Sequence, residues 1–259
     1  MKMSDFKKTV QQTFSSASAN YVTSQLHAKG EDLRLLVAEL EHNKYERLLD
    51  IATGAGHVSL AAAPHVNEVT AMDLTKEMLG TAEAFITKNG FENVSYVEGD
   101  AEKLDFPNSS YDVAVCRIAA HHFERPDQFL EGAHRVIQTG GSLYILDNTA
   151  PENDDWDEFY NTVEKKRDPS HFRAWKKSEW VQMVERAGFT VERVQRFTKT
   201  FLFTDWCDRL DVPNETRKEL TDLLLASSDD HKQKFNIITK RDELHSFAGE
   251  SILLHAVKN

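Results

Sequence analysis

The feature that most constrains this chain is the alternation of short apolar strands with helical segments over its first 150 residues. Residues 47–51, 68–72, 94–98, 111–116 and 142–147 read as strands. Residues 58–64, 75–88 and 127–136 read as helices, and Asn89-Gly90 stops the second of these. Gly140-Gly141 turns the chain into the fifth strand. Such alternation implies a parallel sheet with right-handed crossovers, an α/β, doubly wound architecture. Upstream, residues 5–40 read as helical, with Leu33, Leu36, Val37 and Leu40 at helical spacing and Gly30 between two helices. Downstream, a helix over 178–187 ends at Gly188 and leads to a sixth strand around 191–203. A mostly helical stretch then runs from 205 to about 234, followed by a hairpin arm at 244–247 and an apolar strand at 251–257. Residues 148–177 and 205–247 read as insertions in a single domain over 1–259, with 1–40 as a helical N-terminal part and 41–150 as the core.

Bulk properties narrow the function classes. A hydrophobic fraction of 40% over 259 residues supports a sizeable core. The formal charge of −11, from 42 acidic against 31 basic residues, argues against a nucleic-acid binder. Lys165 to Arg167 with Lys176 and Lys177 read as a solvated face. Cys116 and Cys207 have no metal-like spacing and suit a reducing compartment, so no metal is expected. With no secretory leader and no run near the roughly 18 apolar residues of a membrane span, a cytoplasmic protein is expected. Sequence leaves the oligomeric state open.

In an open parallel sheet, ligands bind beyond the carboxyl ends of the strands. The loop from Asp50 through Ala52, Thr53, Gly54 and Gly56 to His57 opens there after strand one. Its glycines allow a ligand to approach the backbone, beside a helix N-terminus with free amide donors. Asp73 ends strand two, where a carboxylate can accept both hydroxyls of a ribose. Asp100 follows strand three and can accept from an exocyclic adenine amine.

These residues carry a family resemblance. LLDIATGAGHVSLA at 48–61 resembles the first motif of class I S-adenosylmethionine-dependent methyltransferases, and VTAMDLTKEML at 69–79 their second. VEGDAEKLDFPNSSYDVAV at 97–115 is similar to the third motif and fourth strand, and HRVIQTGGSLYILD at 134–147 to the Gly-Gly turn region. The resemblance spans roughly residues 45–150, and the branch is that of the menaquinone and ubiquinone carbon-methyltransferases and many small bacterial enzymes. It implies a seven-stranded, mostly parallel sheet with an antiparallel last strand. It implies that S-adenosylmethionine binds, with the backbone of 52–56 around the methionine part. Asp73 and Leu74 would then stand at the ribose, Asp100 and Ala101 at the adenine, and the backbone of 117–119, beginning at Arg117, at the amino and sulfonium region. Two positions depart from the pattern. Thr139 replaces a common proline, and Ala52 replaces a glycine, which fits if its φ is negative. Residues 14–33, FSSASANYVTSQLHAKGEDL, resemble a lid segment, with Tyr21 and His27 as its contacts.

Methyl transfer from a sulfonium needs alignment and exclusion of water, and a base only where the nucleophile must lose a proton. His121 and His122, just after strand four, are the candidates for that base. Arg167, His171 and Arg173 in the insertion after strand five are candidates for binding an acidic acceptor. Trp156, Phe159, Trp175, Phe201, Phe203 and Trp206 crowd the insertions and suit an apolar or aromatic small molecule. A nicotinamide-dependent oxidoreductase would want a third glycine where Ser59 and Leu60 stand, and gives Asp100 no role. A cofactor-binding regulator without turnover is the other alternative.

Overall fold

The computed structural model describes residues 4–22 and 30–259, with the side chains of residues 16–22 left aside. Eight strands form one sheet: β1 (Arg47–Ile51), β2 (Glu68–Asp73), β3 (Val94–Glu98), β4 (Tyr111–Arg117), β5 (Ile137–Thr149), β6 (Phe189–Leu202), β7 (Ile238–Lys240) and β8 (Glu243–Lys258). The order is β3-β2-β1-β4-β5-β8-β6, with β7 paired to β8. The pairs from β3 through β5 are parallel. β8 runs antiparallel to β5, β6 and β7. The expected seven-stranded sheet with its antiparallel last strand is present, with the three-residue β7 as an addition.

The described helices are α1 (Asp5–Val22), α2 (Glu31–Asn43), α3 (His57–Ala62), α4 (Lys76–Lys88), α5 (Pro126–Val136), α6 (Asp154–Arg167), α7 (Lys177–Arg186), α8 (Phe203–Asp208), α9 (Asn214–Ala226) and α10 (Asp229–Lys234). Central strands are apolar at successive positions because both faces are covered. Leu49, Ala114, Cys116, Leu143 and Ile145 pack on one face with Phe129 and Ala133 of α5 and Trp180 and Val184 of α7. Leu48, Val113, Val115, Tyr144 and Leu146 pack on the other with Leu33, Leu36 and Leu40 of α2 and Val58 and Ala62 of α3. The 244–247 segment is the arm of a hairpin, with Leu244 and Ser246 paired to Thr239 and Ile238 of β7, and it continues as β8, a 16-residue strand. Of the aromatic residues in the insertions, Phe201, Phe203 and Trp206 join Val163, Leu220, Leu224 and Phe247 in a satellite core. Core packing thus accounts for much of that aromatic content.

The strand ends that carry the candidate residues open on one edge. A buried ion pair ties α2 to that edge: Asp32 accepts from Arg117 Nε at 2.9 Å and from Nη2 at 3.1 Å. Such a fork holds a guanidinium in one orientation. Burial pushes the Asp32 carboxyl up, but the charge and hydrogen bonds of Arg117 outweigh it and leave the pKa lowered.

Candidate functional site

The β1–α3 loop is built around Asp50. One carboxylate oxygen accepts from Thr53 Oγ1 at 2.6 Å, Ser59 Oγ at 2.6 Å and Ser59 N at 3.0 Å. Burial pushes this carboxyl up to about 6 despite those donors. Asp50 therefore braces the loop as well as lining the cleft beside it. The loop's two glycines differ in kind. Gly54 has φ +56°, and a Cβ there would meet no protein atom within 4 Å, so space is left to a ligand. Gly56 has φ +84°, and a Cβ would come within 2.9 Å of Ala82 Cβ on α4. Gly56 therefore serves the packing of the loop on α4, and it is not among the residues lining the cleft.

Ala52 overturns one expectation. Its φ is +57°, not negative, so an alanine occupies the left-handed region at a cost of roughly 1–2 kcal/mol. The next amide, Thr53 N, donates to Met72 O at 2.9 Å and fixes this geometry. Ile118 is a second strained position, with φ +53°. A β-branched residue there is a genuine outlier. Its amide donates to Leu146 O at 2.7 Å.

A cleft of about 1020 Å³, including its solvent-open part, runs over these loops. Its lining includes Asp50, Ala52, Thr53, Gly54, Asp73, Leu74, Asp100, Ala101 and Arg117. Asp73 accepts from Gly54 N at 2.9 Å and from Thr75 N at 2.9 Å, which links the first loop to the end of β2. Burial raises its pKa against those hydrogen bonds. Asp100 accepts from Glu102 N at 3.0 Å and forms an ion pair with Lys7 at 2.5 Å, and Lys7 also reaches Glu102 at 2.6 Å.

Lys7 belongs to α1, which closes the cleft with Lys7, Val10 and Phe14. Gln11 Nε2 donates to Leu74 O at 2.8 Å, and Ser15 Oγ to Glu77 at 3.1 Å. Sequence reasoning missed these residues, although 7, 10 and 14 fall on one helical face. Of the expected lid contacts, His27 lies outside the described residues, and so does the side chain of Tyr21.

His121 and His122 form a buried 3₁₀ turn after β4. Asp147, at the end of β5, holds His121 twice: its carboxylate accepts from the His121 amide at 2.8 Å and pairs with Nδ1 at 2.7 Å. A carboxylate can only accept here, so Nδ1 carries the hydrogen and Nε2 is left as the basic nitrogen. Burial lowers the His121 pKa, but the charge and hydrogen bond of Asp147 outweigh it and raise it. His122 Nδ1 donates to Ser170 O at 2.7 Å, and Phe14 meets its ring edge-on at a 5.0 Å centroid distance. Burial, with His121 adjacent, pushes His122 down to about 4.

A second lobe of about 510 Å³, solvent-open space included, shares Phe14, Ile118 and His122 with the main cleft. His121, Asn148, Glu164, Arg167, Asp168, Lys199, Phe201, Trp206 and Arg209 complete its lining. Arg167 is there as its sequence position suggested. The structure does not bring His171 or Arg173 to this lining. His171 is buried, pairs with Asn161 Oδ1 at 2.9 Å, and has its pKa depressed by burial and then by surrounding charges. Arg173 pairs with Asp157 at 2.7 Å. Among the described residues no cluster of His, Cys, Asp and Glu suits a metal. No described helix is long and apolar enough to cross a membrane.

Comparison with known proteins shows the family of the chain. Residues 49–145 match the model of the methyltransferase domain family. An uncharacterised methyltransferase of Bacillus subtilis, YcgJ, is 35% identical over 246 residues, covering 95% of this chain and 97% of the relative. A demethylmenaquinone methyltransferase of Chlorobaculum tepidum is 34% identical over 117 residues, covering 44% of this chain and 46% of the relative. The crystal structure of a candidate methyltransferase from Bacillus halodurans superimposes with a TM-score of 0.83. It is 49% identical, covering 86% of this chain and 98% of that one.

Proposed function

The chain belongs to the class I S-adenosylmethionine-dependent methyltransferases, and from that premise we propose that it methylates a small molecule bound in the second lobe, with His121 as general base. The observation that carries this reading is the continuity of the two lobes at Ile118 and His122, with His121, held by Asp147, in the wall of the smaller one.

The residues present fit S-adenosylmethionine. Gly54 leaves a backbone approach that a side chain would fill. Asp73 and Asp100 bring carboxylates to the ends of β2 and β3, as a ribose and an adenine amine require. Ala52, Thr53, Leu74, Ala101 and the Arg117–Ala119 backbone complete the proposed binding set, and Asp50 and Gly56 hold the loop in shape. When bound, the cofactor supplies a methyl group made electrophilic by a sulfonium.

The protein's own contribution is positional and protolytic. Phe14, Phe201 and Trp206 line the acceptor lobe and suit an apolar or aromatic body. They also exclude water from it. His121 Nε2 accepts the proton that an acceptor hydroxyl or acidic carbon gives up. Catalytic bases work best with a pKa near the working pH, which favours His121 over His122, whose pKa of about 4 leaves it a weak base. We place the enzyme in the cytoplasm, a reading its two buried free thiols support. The chain is read as one domain, with no nucleic acid among its partners.

Release of S-adenosylhomocysteine over a panel of hydroxylated and carbon-acid metabolites tests the function and names the acceptor. His121→Gln should lose about 10²–10⁴ in single-turnover rate while binding S-adenosylhomocysteine like the parent. An unchanged rate removes His121 from the chemistry, and no turnover on any acceptor favours a regulator that binds the cofactor only.

A further inference from the structure

β6 is the outermost strand of the sheet beyond β8. Strand alternation puts Phe197, Lys199 and Phe201 on one face and Thr198, Thr200 and Leu202 on the other. The second set is exposed, whereas Phe197 packs against the core and Phe201 is buried. A lysine thus sits at an inward register position between two phenylalanines, and it lines the acceptor lobe. Its closest hydrogen-bond acceptor is Asn148 Oδ1 at 3.4 Å, a marginal contact. Among the described residues no carboxylate forms an ion pair with it. Lys199 is half-buried, and withdrawing an ammonium even partly from water without an ion-pair partner is costly. Desolvation accordingly lowers the Lys199 pKa, with the more distant Asp32 and Asp147 opposing that shift and Arg117 and Arg209 reinforcing it.

Two more cations share the lobe. The Arg167 guanidinium is fixed over the Trp206 ring at 4.7 Å, and its Nε donates to Trp206 O at 3.0 Å. Arg209 completes the set. The two acids of the lining offset them only in part. Asp168 accepts from the Ser170 amide at 2.8 Å, and against the effect of burial His122, Ser170 and Arg167 hold its carboxyl in the charged form, so it offsets one of the three cations. Glu164 is buried, lies 3.9 Å from Arg167, and has its carboxyl pKa raised by that burial, toward the neutral form.

We infer that the acceptor carries an anionic group, a carboxylate or a phosphate, seated on Lys199 with Arg167 and Arg209 around it. The inference rests on the methyl-transfer assignment for its word acceptor, but the anion subsite has its own test. Protein loaded with S-adenosylhomocysteine is titrated with benzoate and with phenyl phosphate, and in parallel with benzamide and benzylamine, by ligand-observed NMR. One or both anions should bind, benzamide at least tenfold more weakly, and whichever anion is tighter names the group. Lys199→Met should weaken the anion about ten- to hundredfold, the scale of a lost charge-assisted hydrogen bond. Lys199→Arg should restore most of it, and cofactor affinity should stay at the parent value in both. Equal binding of benzoate and benzamide, or preference for benzylamine through Glu164, overturns the inference. So does an unaffected Lys199→Met. An inward lysine can also discourage edge-to-edge strand pairing. If that is its only role, Lys199→Met changes self-association in sedimentation and leaves benzoate binding intact. Retained benzoate binding with no methyl transfer to any acceptor keeps the anion subsite and removes the methyl-transfer assignment instead.

Discussion

A single carboxylate decides how the candidate base behaves. Asp147 raises the His121 pKa against the opposing effect of burial, so the two demands on that histidine pull in opposite directions with pH. For stability, a raised folded-state pKa means the pair contributes fully below the unfolded value, near 6.5. That contribution is lost as pH rises through the folded value. For catalysis, Nε2 must be unprotonated, so kcat/KM should rise across that same interval. Asp147→Asn removes the charge, keeps the shape and should lower the His121 pKa. The acidic limb of the kcat/KM profile should then move to lower pH, with the plateau reduced by the loss of the oriented tautomer. A limb that stays in place would assign it to another group. The position of His121 on the ligand edge was legible in the sequence, because it follows a strand in a parallel sheet. Its partner was not, since Asp147 is remote in sequence and meets it only across the β4–β5 pair. Ala52 shows the reverse: its family departure was plain, but its positive φ depends on Thr53 bonding to β2.

Among the elements, α1 bears most on access to the cleft. It is held there by polar ties at its first two turns, with Lys7 bridging Asp100 and Glu102. Desolvation lowers the Lys7 pKa, but the hydrogen bonds and charges of those two carboxylates raise it overall. Asp100 keeps acceptor capacity beyond Lys7 and the Glu102 amide, since a carboxylate offers about four lone-pair sites. Lys7→Met should therefore free the helix without stripping the proposed adenine contact. We expect faster limited proteolysis within α1, and cofactor affinity reduced by about 1 kcal/mol, within the range of a partly exposed ion pair. Tighter cofactor binding in this variant would show instead that Lys7 competes with the ligand. The helix itself fell within the stretch 5–40 read as helical, but its function was sought further along, at Tyr21 and His27. The 7, 10, 14 face carries one lysine and two apolar residues, and nothing local distinguishes a face that covers a cleft from one that covers a core.

At the scale of the molecule, alternation in the sequence implied parallel crossovers, but it could not order the strands. The arrangement β3-β2-β1-β4-β5-β8-β6 places β1 and β4 side by side at the reversal of winding. There the Gly54 loop and the Ile118 turn face one cleft. A ligand filling that cleft would touch loops from four strands, and its binding should stabilise the sheet as a unit. S-adenosylhomocysteine at a hundred times its Kd contributes about 2.7 kcal/mol. For a chain of this size that corresponds to a rise in Tm of roughly 5–10 °C. Asp73→Ala should weaken the cofactor by roughly 1.5–3 kcal/mol, the scale for hydrogen bonds to a charged group. At the same ligand concentration the stabilisation then falls to about 0.3–1.3 kcal/mol, or half the parent's Tm shift at most. Asp73 also receives the Gly54 and Thr75 amides, so the unliganded variant should melt lower. Asp73→Asn keeps one acceptor for those amides and separates that loss from the loss of ribose contacts. The comparison is between shifts, each measured from the variant's own unliganded Tm by scanning calorimetry. Equal shifts in the parent and both variants would move the ribose away from Asp73, and with it the orientation of the cofactor along the cleft.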